Sequence, residues 1–272
     1  MSQDKDLVTI DDLQDGCWVS MVDPSNKEIE HIVTTLKLKP ELIKYALDEN
    51  EKPHLLFDAE TDSLLAVVDF PLSESSKYTK IPLGIIHTNS CLITVCKREL
   101  NEIKNFTTSY IKTILTYKRP RFILQILYSN TETMIYFLKQ IEKQINSINK
   151  QMKYGLDNSN IAALTNIKNN LATYNSSLKA NELVYEKLQR YDFIRAYPED
   201  SKLLSAVLIE NKQAIEMAKV YNEWVKNMLD ASVALSANNL NFSVKSLRKF
   251  IIAISILIII LLVLSQVLNF FF

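Results

Sequence analysis

Residues 199–272 read EDSKLLSAVLIENKQAIEMAKVYNEWVKNMLDASVALSANNLNFSVKSLRKFIIAISILIIILLVLSQVLNFFF, and neither glycine nor proline interrupts them. Val207, Ala214, Tyr221, Met228, Leu235 and Phe242 recur at every seventh position, the period of a coiled-coil seam. Unbroken, the stretch makes one helix of about 110 Å. A helix of that length cannot bury its seam alone. It packs against copies of itself, against other helices of the chain, or both, and the expectation is a homo-oligomer with the long helices gathered around a common axis.

The last part of this helix differs from the rest. From Phe250 to Phe272 no residue is charged, and Ser255, Ser265, Gln266 and Asn269 are the only polar side chains. About 23 helical residues reach roughly 34 Å, enough to cross a hydrocarbon core of about 30 Å. Lys245, Arg248 and Lys249 lie just before the run and nothing basic follows it. The positive-inside bias therefore sets the N-terminal part in the cytoplasm and the C-terminus outside a plasma or inner membrane, with one transmembrane helix in the lipid bilayer.

Upstream, Leu138, Ile141, Ile145, Ile148 and Met152 repeat at three and four residues, GLDNSN (155–160) breaks the pattern, and Leu164, Ile167, Leu171, Tyr174 and Leu178 resume it. This is an antiparallel helical hairpin. The first hundred residues alternate strand-like and helical runs. CWVSMV (17–22) precedes a helix announced by Ser25 with Glu28 three residues later, a capping-box spacing. LLAVVDF (64–70), LGIIHT (83–88) and CLITVC (91–96) read as further strands, separated by Pro71, Pro82 and the Asn89-Ser90 turn. The fold class is thus an α+β membrane protein: a cytoplasmic α/β domain over 1–120, a helical hairpin over 121–198, a stalk helix over 199–249 and a transmembrane helix over 250–272.

Composition narrows the function. The 272 residues are 47% hydrophobic and 23% charged, with 31 basic against 31 acidic side chains, so the chain folds and is no general polyanion binder. Cys17, Cys91 and Cys96 are odd in number and fit no metal-ligand spacing; they read as reduced thiols, in keeping with a start, MSQDKDLVTIDDLQDG, that cannot serve as a secretory signal. His31, His54 and His87 are scattered in one domain, and His87 and the cysteines sit in strand runs as buried structural side chains. With no glycine-rich phosphate loop and no Ser-His-Asp or Cys-His arrangement, an enzyme is not expected. The basic string YKRPR (117–121) is too short for a nucleic-acid surface and reads as a solvated connector.

The segments WVSMVDPSNKEIEHI, ALDENEKPHLLFD, PLGIIHTNSCLITVCKRE, FILQILY, SSLKANELVYEKL, IENKQAIEMAKVYNEWVKNMLDA and SANNLNFSVKSL stand in an order and at a spacing that resemble the CorA-type magnesium transport proteins, over about residues 17–250. The resemblance implies a homopentamer with a cytoplasmic funnel, a stalk helix that continues as the pore-lining membrane helix, and transport of Mg²⁺, with Co²⁺ as a second cargo. It implies, too, a Gly-Met-Asn motif that selects hydrated Mg²⁺ and Mg²⁺ held between subunits that closes the pore. Carried over by position, Asn241 forms a polar ring at the cytoplasmic end of the pore, with Val244 and Leu247 as the hydrophobic constriction. Asp230 matches an acidic stalk position that attracts cations, with an ordinary solvated carboxylate as an equal alternative. Asn269 is the retained member of a degenerate motif, Val267-Leu268-Asn269. Hydrated Mg²⁺ gives up water reluctantly, so neutral amide oxygens suit a pore that must also release it.

The departures fall at the transport path. Val244 stands where the family has Met, Arg248 and Ile251 where it has threonines, and Ala206 where it has an inhibitory-site Asp. Asn241, Arg248, Ser255, Leu262 and Asn269 fall seven apart, so a shared seam would put Arg248 toward the pore. Two readings stay open: a divalent-cation channel, or a non-conducting truncated relative acting as a membrane-anchored regulatory or interaction protein, with a full-length paralogue as its partner.

Overall fold

A computed structural model describes residues 7–74, 77–107, 114–152, 158–195 and 197–271; the side chains of 73, 74, 77, 78, 107, 195, 235–243 and 261–271 are outside the description. A five-stranded sheet is built from β1 (Trp18–Val22), β2 (His54–Asp58), β3 (Ser63–Glu74), β4 (Lys77–His87) and β5 (Leu92–Cys96). The order is β1-β5-β4-β3-β2, with β1 parallel to β5 and the other pairs antiparallel. Strand side chains alternate faces, and β3 shows the consequence. Leu65 and Val67 join the core under α1 (Asn26–Leu36) and α2 (Pro40–Leu47), whereas Leu64, Ala66, Val68 and Phe70 join the core on the opposite face. The capping box at α1 forms as expected: Ser25 Oγ accepts from the Glu28 N–H at 3.4 Å, and Glu28 Oε2 accepts from the Ser25 N–H at 2.7 Å. Glycine at position 84 lets α2 lie close on the sheet, since a Cβ there would meet the Ala46 Cβ at 2.4 Å.

Pro71 and Pro82 do not separate strands; they lie inside β3 and β4. The reason is where neighbouring strands stop. Pairing of β3 with β2 ends at Val67, and pairing of β4 with β5 ends at Leu83, so beyond those residues the β3–β4 hairpin is a two-stranded ribbon with both outer edges unpaired. Proline, lacking a donor, is tolerated on an edge.

Three helices cover the second face of the sheet and then outgrow it: α4 (Arg119–Met152), α5 (Asn158–Leu188) and α6 (Pro198–Phe271), with a shorter α3 (Asn101–Thr107) beside α4. The hairpin break lies between Met152 and Asn158, where residues 153–157 are outside the description. Arg121, in the first turn of α4, donates from Nε to Asp200 Oδ1 at 2.7 Å and from Nη2 to Glu199 Oε2 at 2.6 Å, in the first turn of α6. Six turns on, Tyr221 Oη of α6 donates to Glu142 of α4 at 2.8 Å. The separation of 79 residues is the same for the Arg121–Asp200 and Glu142–Tyr221 pairs, so α4 and α6 run parallel without slippage. Both arms of the hairpin grip α6 more than they grip each other.

Of the coverings open to the heptad seam, its first four described layers take the chain's own helices. Val207, Ala214, Tyr221 and Met228 are buried within the chain's own cores, Val207 beneath the sheet and the other three between the hairpin arms. That stretch of seam is therefore covered without a second copy. Among the described side chains of α6 the last buried one is Ser232, and every described one beyond it, at 233, 234 and 244–260, is exposed. From Ser232 the α6 backbone runs on for roughly 58 Å to Phe271, a bare arm at its described positions.

Among the described residues no helix is long and apolar enough to cross a membrane. The description of the apolar end stops at Ile260, while the charge-free run of the sequence goes on to Phe272.

Candidate functional site

The bare arm of α6 carries the residues singled out by the sequence. Asp230 is exposed in the last turn before the arm begins. Val244 and Leu247 are 62% and 61% exposed, so neither belongs to the chain's core. The side chains of Asn241 and Asn269 lie outside the description, although both positions are on the α6 backbone. At 1.5 Å per residue, Asp230 and Val244 are about 21 Å apart along the axis, and Asn241 and Asn269 about 42 Å. One copy of the chain therefore sets positions 241, 244 and 247 next to one another at steps of three and leaves Asp230 and Asn269 remote from them. They are stations along a rod, and Asp230 and Val244, fourteen residues apart, share one face of it.

No group of three or more His, Cys, Asp or Glu side chains that could hold a metal ion occurs among the described residues. His87 is half-buried, its ring stacked on Phe193 at 4.6 Å, and burial, helped by the positive charge of Arg119 and opposed by Asp62, pushes its pKa down to about 4. Burial likewise pushes the Cys96 thiol up to about 11 and raises Cys91. Neither thiol is poised as a nucleophile.

The His87 shift has a measurable consequence. The unfolded chain takes up the proton near pH 6.5 and the folded chain only near 4, so stability is complete above 6.5 and declines as the pH falls through that window. After allowance for its partial exposure, the loss is about 2 kcal/mol. Urea unfolding at pH 7 and at pH 4.5 should show a smaller acid loss for His87→Phe than for the unaltered chain; equal losses would rule out this histidine as a contributor.

One site was not read from the sequence. Asp69 on β3 is 2% exposed at its side chain, yet charged. Lys80 Nζ reaches its two carboxylate oxygens at 3.2 and 3.0 Å, and Ser177 Oγ of α5 donates to Oδ2 at 2.7 Å. The backbone of the same residue lies on the edge left open where β2 ends. Its N–H donates to Asn181 Oδ1 at 2.8 Å, and its carbonyl accepts from Asn181 Nδ2 at 2.9 Å and Asn130 Nδ2 at 3.0 Å. Asn181 thus replaces the missing strand, and the node ties sheet, α4 and α5 together. Its signal in the sequence is a single aspartate inside the apolar run LLAVVDF.

A family model described as CorA-like Mg²⁺ transporter protein matches residues 14–264. Among solved structures, the CorA magnesium transporter from Methanocaldococcus jannaschii is 22% identical and superposes with a TM-score of 0.75, over 82% of this chain and 71% of that one. The full-length CmaX protein gives 13% identity and a TM-score of 0.70, over 83% and 70% of the two chains. The cytoplasmic domain of ZntB from Vibrio parahaemolyticus gives 12% and 0.67, over 81% and 88%. At these identities the likeness is one of fold. No curated protein sequence matches the chain.

Proposed function

The chain belongs to the CorA-like Mg²⁺ transporter family, and on that premise we propose that it carries divalent cations, Mg²⁺ first and Co²⁺ second, through a pore lined by α6 of several copies. Family membership places the chain among transporters of divalent cations rather than enzymes. The observation that carries the finer reading is the bare arm: a helix that leaves its bundle at Ser232 and then exposes Val244, Leu247, Ile251 and Ile254. Apolar side chains in such a row are stable against lipid or against copies of the same row, not against water.

In this reading residues 250–272 span the bilayer, Lys245, Arg248 and Lys249 hold the cytoplasmic headgroups, and five copies surround the axis. Asp230 gathers cations at the approach, Asn241 and Asn269 offer amide oxygens to the hydrated ion, and Val244 and Leu247 form the apolar constriction. Mg²⁺ is the cargo.

Arg248 favours a second reading. Five guanidinium groups four residues beyond Val244 repel a divalent cation if they face the axis. The chain would then be a non-conducting, membrane-anchored regulator or partner of a full-length paralogue. Expression in a cell deficient in magnesium transport separates the two. Growth at low external Mg²⁺ is the expected result; absence of growth, with the chain present in the membrane fraction, overturns transport and leaves the second reading.

A further inference from the structure

The register of the sheet sorts the three cysteines. β1 runs parallel to β5 with Trp18 opposite Leu92, so the residues one step earlier, Cys17 and Cys91, are neighbours across the same two strands. The Leu92 N–H donates to the Cys17 carbonyl at 3.1 Å, which carries the pairing back to these positions. Alternation of side chains puts both thiols on the face under α1 and α2, in one core with Met21 and Ile93. Paired strands are about 4.8 Å apart, inside the Cα separation of about 4.4–6.8 Å that a disulfide spans. The Cys17 side chain is a hydrogen-bonding neighbour of the Cys91 thiol. Cys96 is excluded from the pair. It lies five residues along β5 from Cys91, about 17 Å away, and joins the core on the opposite face.

Exposure divides the roles. Cys91 is 1% exposed, and Ser90 Oγ donates to its sulfur at 3.9 Å, whereas Cys17 is half-buried and reaches solvent. The pair also sits at an edge, since among the described residues β1 has β5 as its one strand neighbour. A buried cysteine alone packs as a small apolar side chain. Two thiols facing each other across strands, one of them open to water, have a chemistry that neither has alone.

We propose that Cys17 and Cys91 are a reversible dithiol–disulfide pair, oxidised by soluble low-molecular-weight disulfides, whose bond fastens the edge strand β1 to β5. The Cys17 thiolate attacks one sulfur of the soluble disulfide, forming a mixed disulfide and releasing one thiolate, which takes up the proton that Cys17 lost. Cys91 then attacks the Cys17 sulfur and passes its own proton to the second thiolate as that leaves. Two S–H bonds of the chain are exchanged for one S–S bond, and the soluble disulfide is reduced to two thiols. Reducing surroundings hold the pair open, so the bond follows the redox poise. The pair is independent of the pore reading.

The test treats the reduced full-length chain, in mild detergent, with reduced and oxidised glutathione at graded ratios, alkylates the remaining thiols and maps the peptides by mass. The expected product is one intramolecular bond, Cys17 to Cys91, with Cys96 alkylated, and excess reduced glutathione should reverse it. Cys91→Ser should stop at a persistent mixed disulfide on Cys17, and Cys17→Ser should leave Cys91 reduced. Backbone amides of β1 should exchange with deuterium at least tenfold more slowly once the bond has formed. A pair that stays fully alkylatable in oxidised glutathione alone, a bond to Cys96 or between copies, or a mixed disulfide on the unaltered chain that never closes overturns the pair. A bond without slower exchange in β1 overturns the fastening. Should a serine variant fail to fold, the mapping on the unaltered chain decides.

Discussion

Lys80→Met should lower the stability of the fold by about 2–3 kcal/mol, a large effect for one side chain that is itself a third exposed. The cost arises at its partner. Asp69 sits 2% exposed and its two carboxylate oxygens take their charged hydrogen bonds from this one ammonium. With the lysine gone, the Ser177 hydroxyl is the partner left to this buried carboxylate among the described residues. Removing one member of a fully buried ion pair costs about 3–5 kcal/mol, and the figure is reduced here because water reaches the lysine end. In a chain of this size the expected change in melting temperature is about 5–10 °C. Asp69→Asn combined with Lys80→Met should recover more than half of the loss, because the amide oxygen still accepts from Ser177 while no charge is left buried. A single Lys80→Met variant that melts within 1 °C of the parent would show that the node owes its stability to the backbone bonds of Asn181 and Asn130 alone.

The node explains how the halves of the molecule hold together. Sheet and hairpin share the apolar core in which Phe70, Phe122 and Tyr185 are fully buried, but apolar contacts do not specify register. Asn181 does, since its carboxamide pairs with both the N–H and the carbonyl of one residue, Asp69. A shift of α5 by one turn would leave these backbone groups buried without partners, at a cost of about 1–3 kcal/mol each. The bare arm of α6 is aimed by the same bonds, because α6 is held between α4 and α5.

What could be read from the sequence followed the strength of each periodic signal. The 74 residues of α6 were legible because glycine and proline are absent after Pro198, which opens the helix, and the apolar spacing is unbroken. The β4 and β5 cores were legible as β-branched runs. β2, HLLFD, was not, since an edge strand of five residues with its burial split between faces carries little pattern. Pro71 and Pro82 misled for a definite reason: proline marks the end of pairing on one side of a strand, and here pairing continues on the other. The period of the α6 seam was right, but a period does not say what covers it, and the hairpin does so as far as Ser232. Asp69 is one charge inside the apolar run LLAVVDF, and a single charge does not name its partners. Asn241 and Asn269 are placed only as positions along α6, so their roles stay with the proposal.

Leu247→Ser should raise Mg²⁺ entry into proteoliposomes by tenfold or more, equivalent to about 1.4 kcal/mol or more removed from the barrier. Val244, Leu247 and Ile251 occupy one face of α6, exposed by 62%, 61% and 56%, and in the proposed ring that face meets its own copies around the axis. A leucine from each copy at one level offers no oxygen to replace a water of the hydrated ion. Mg²⁺ sheds its waters reluctantly, so it must either pass with its shell intact or not at all, and a narrow apolar ring excludes that shell. Serine shortens the side chain and supplies a hydroxyl, which widens the ring and keeps it wet. Ile256, 53% exposed, lies nine residues beyond Leu247 and so about 180° around the helix from it, facing away from the axis, and Ile256→Ser should change entry less than twofold. The readout is a magnesium-sensitive dye trapped in the vesicles, with the oligomer verified before and after reconstitution. Equal effects of the two serines would mean that the helix presents no particular face to the ion, and an intact oligomer with no rise for Leu247→Ser would remove Val244 and Leu247 from the barrier.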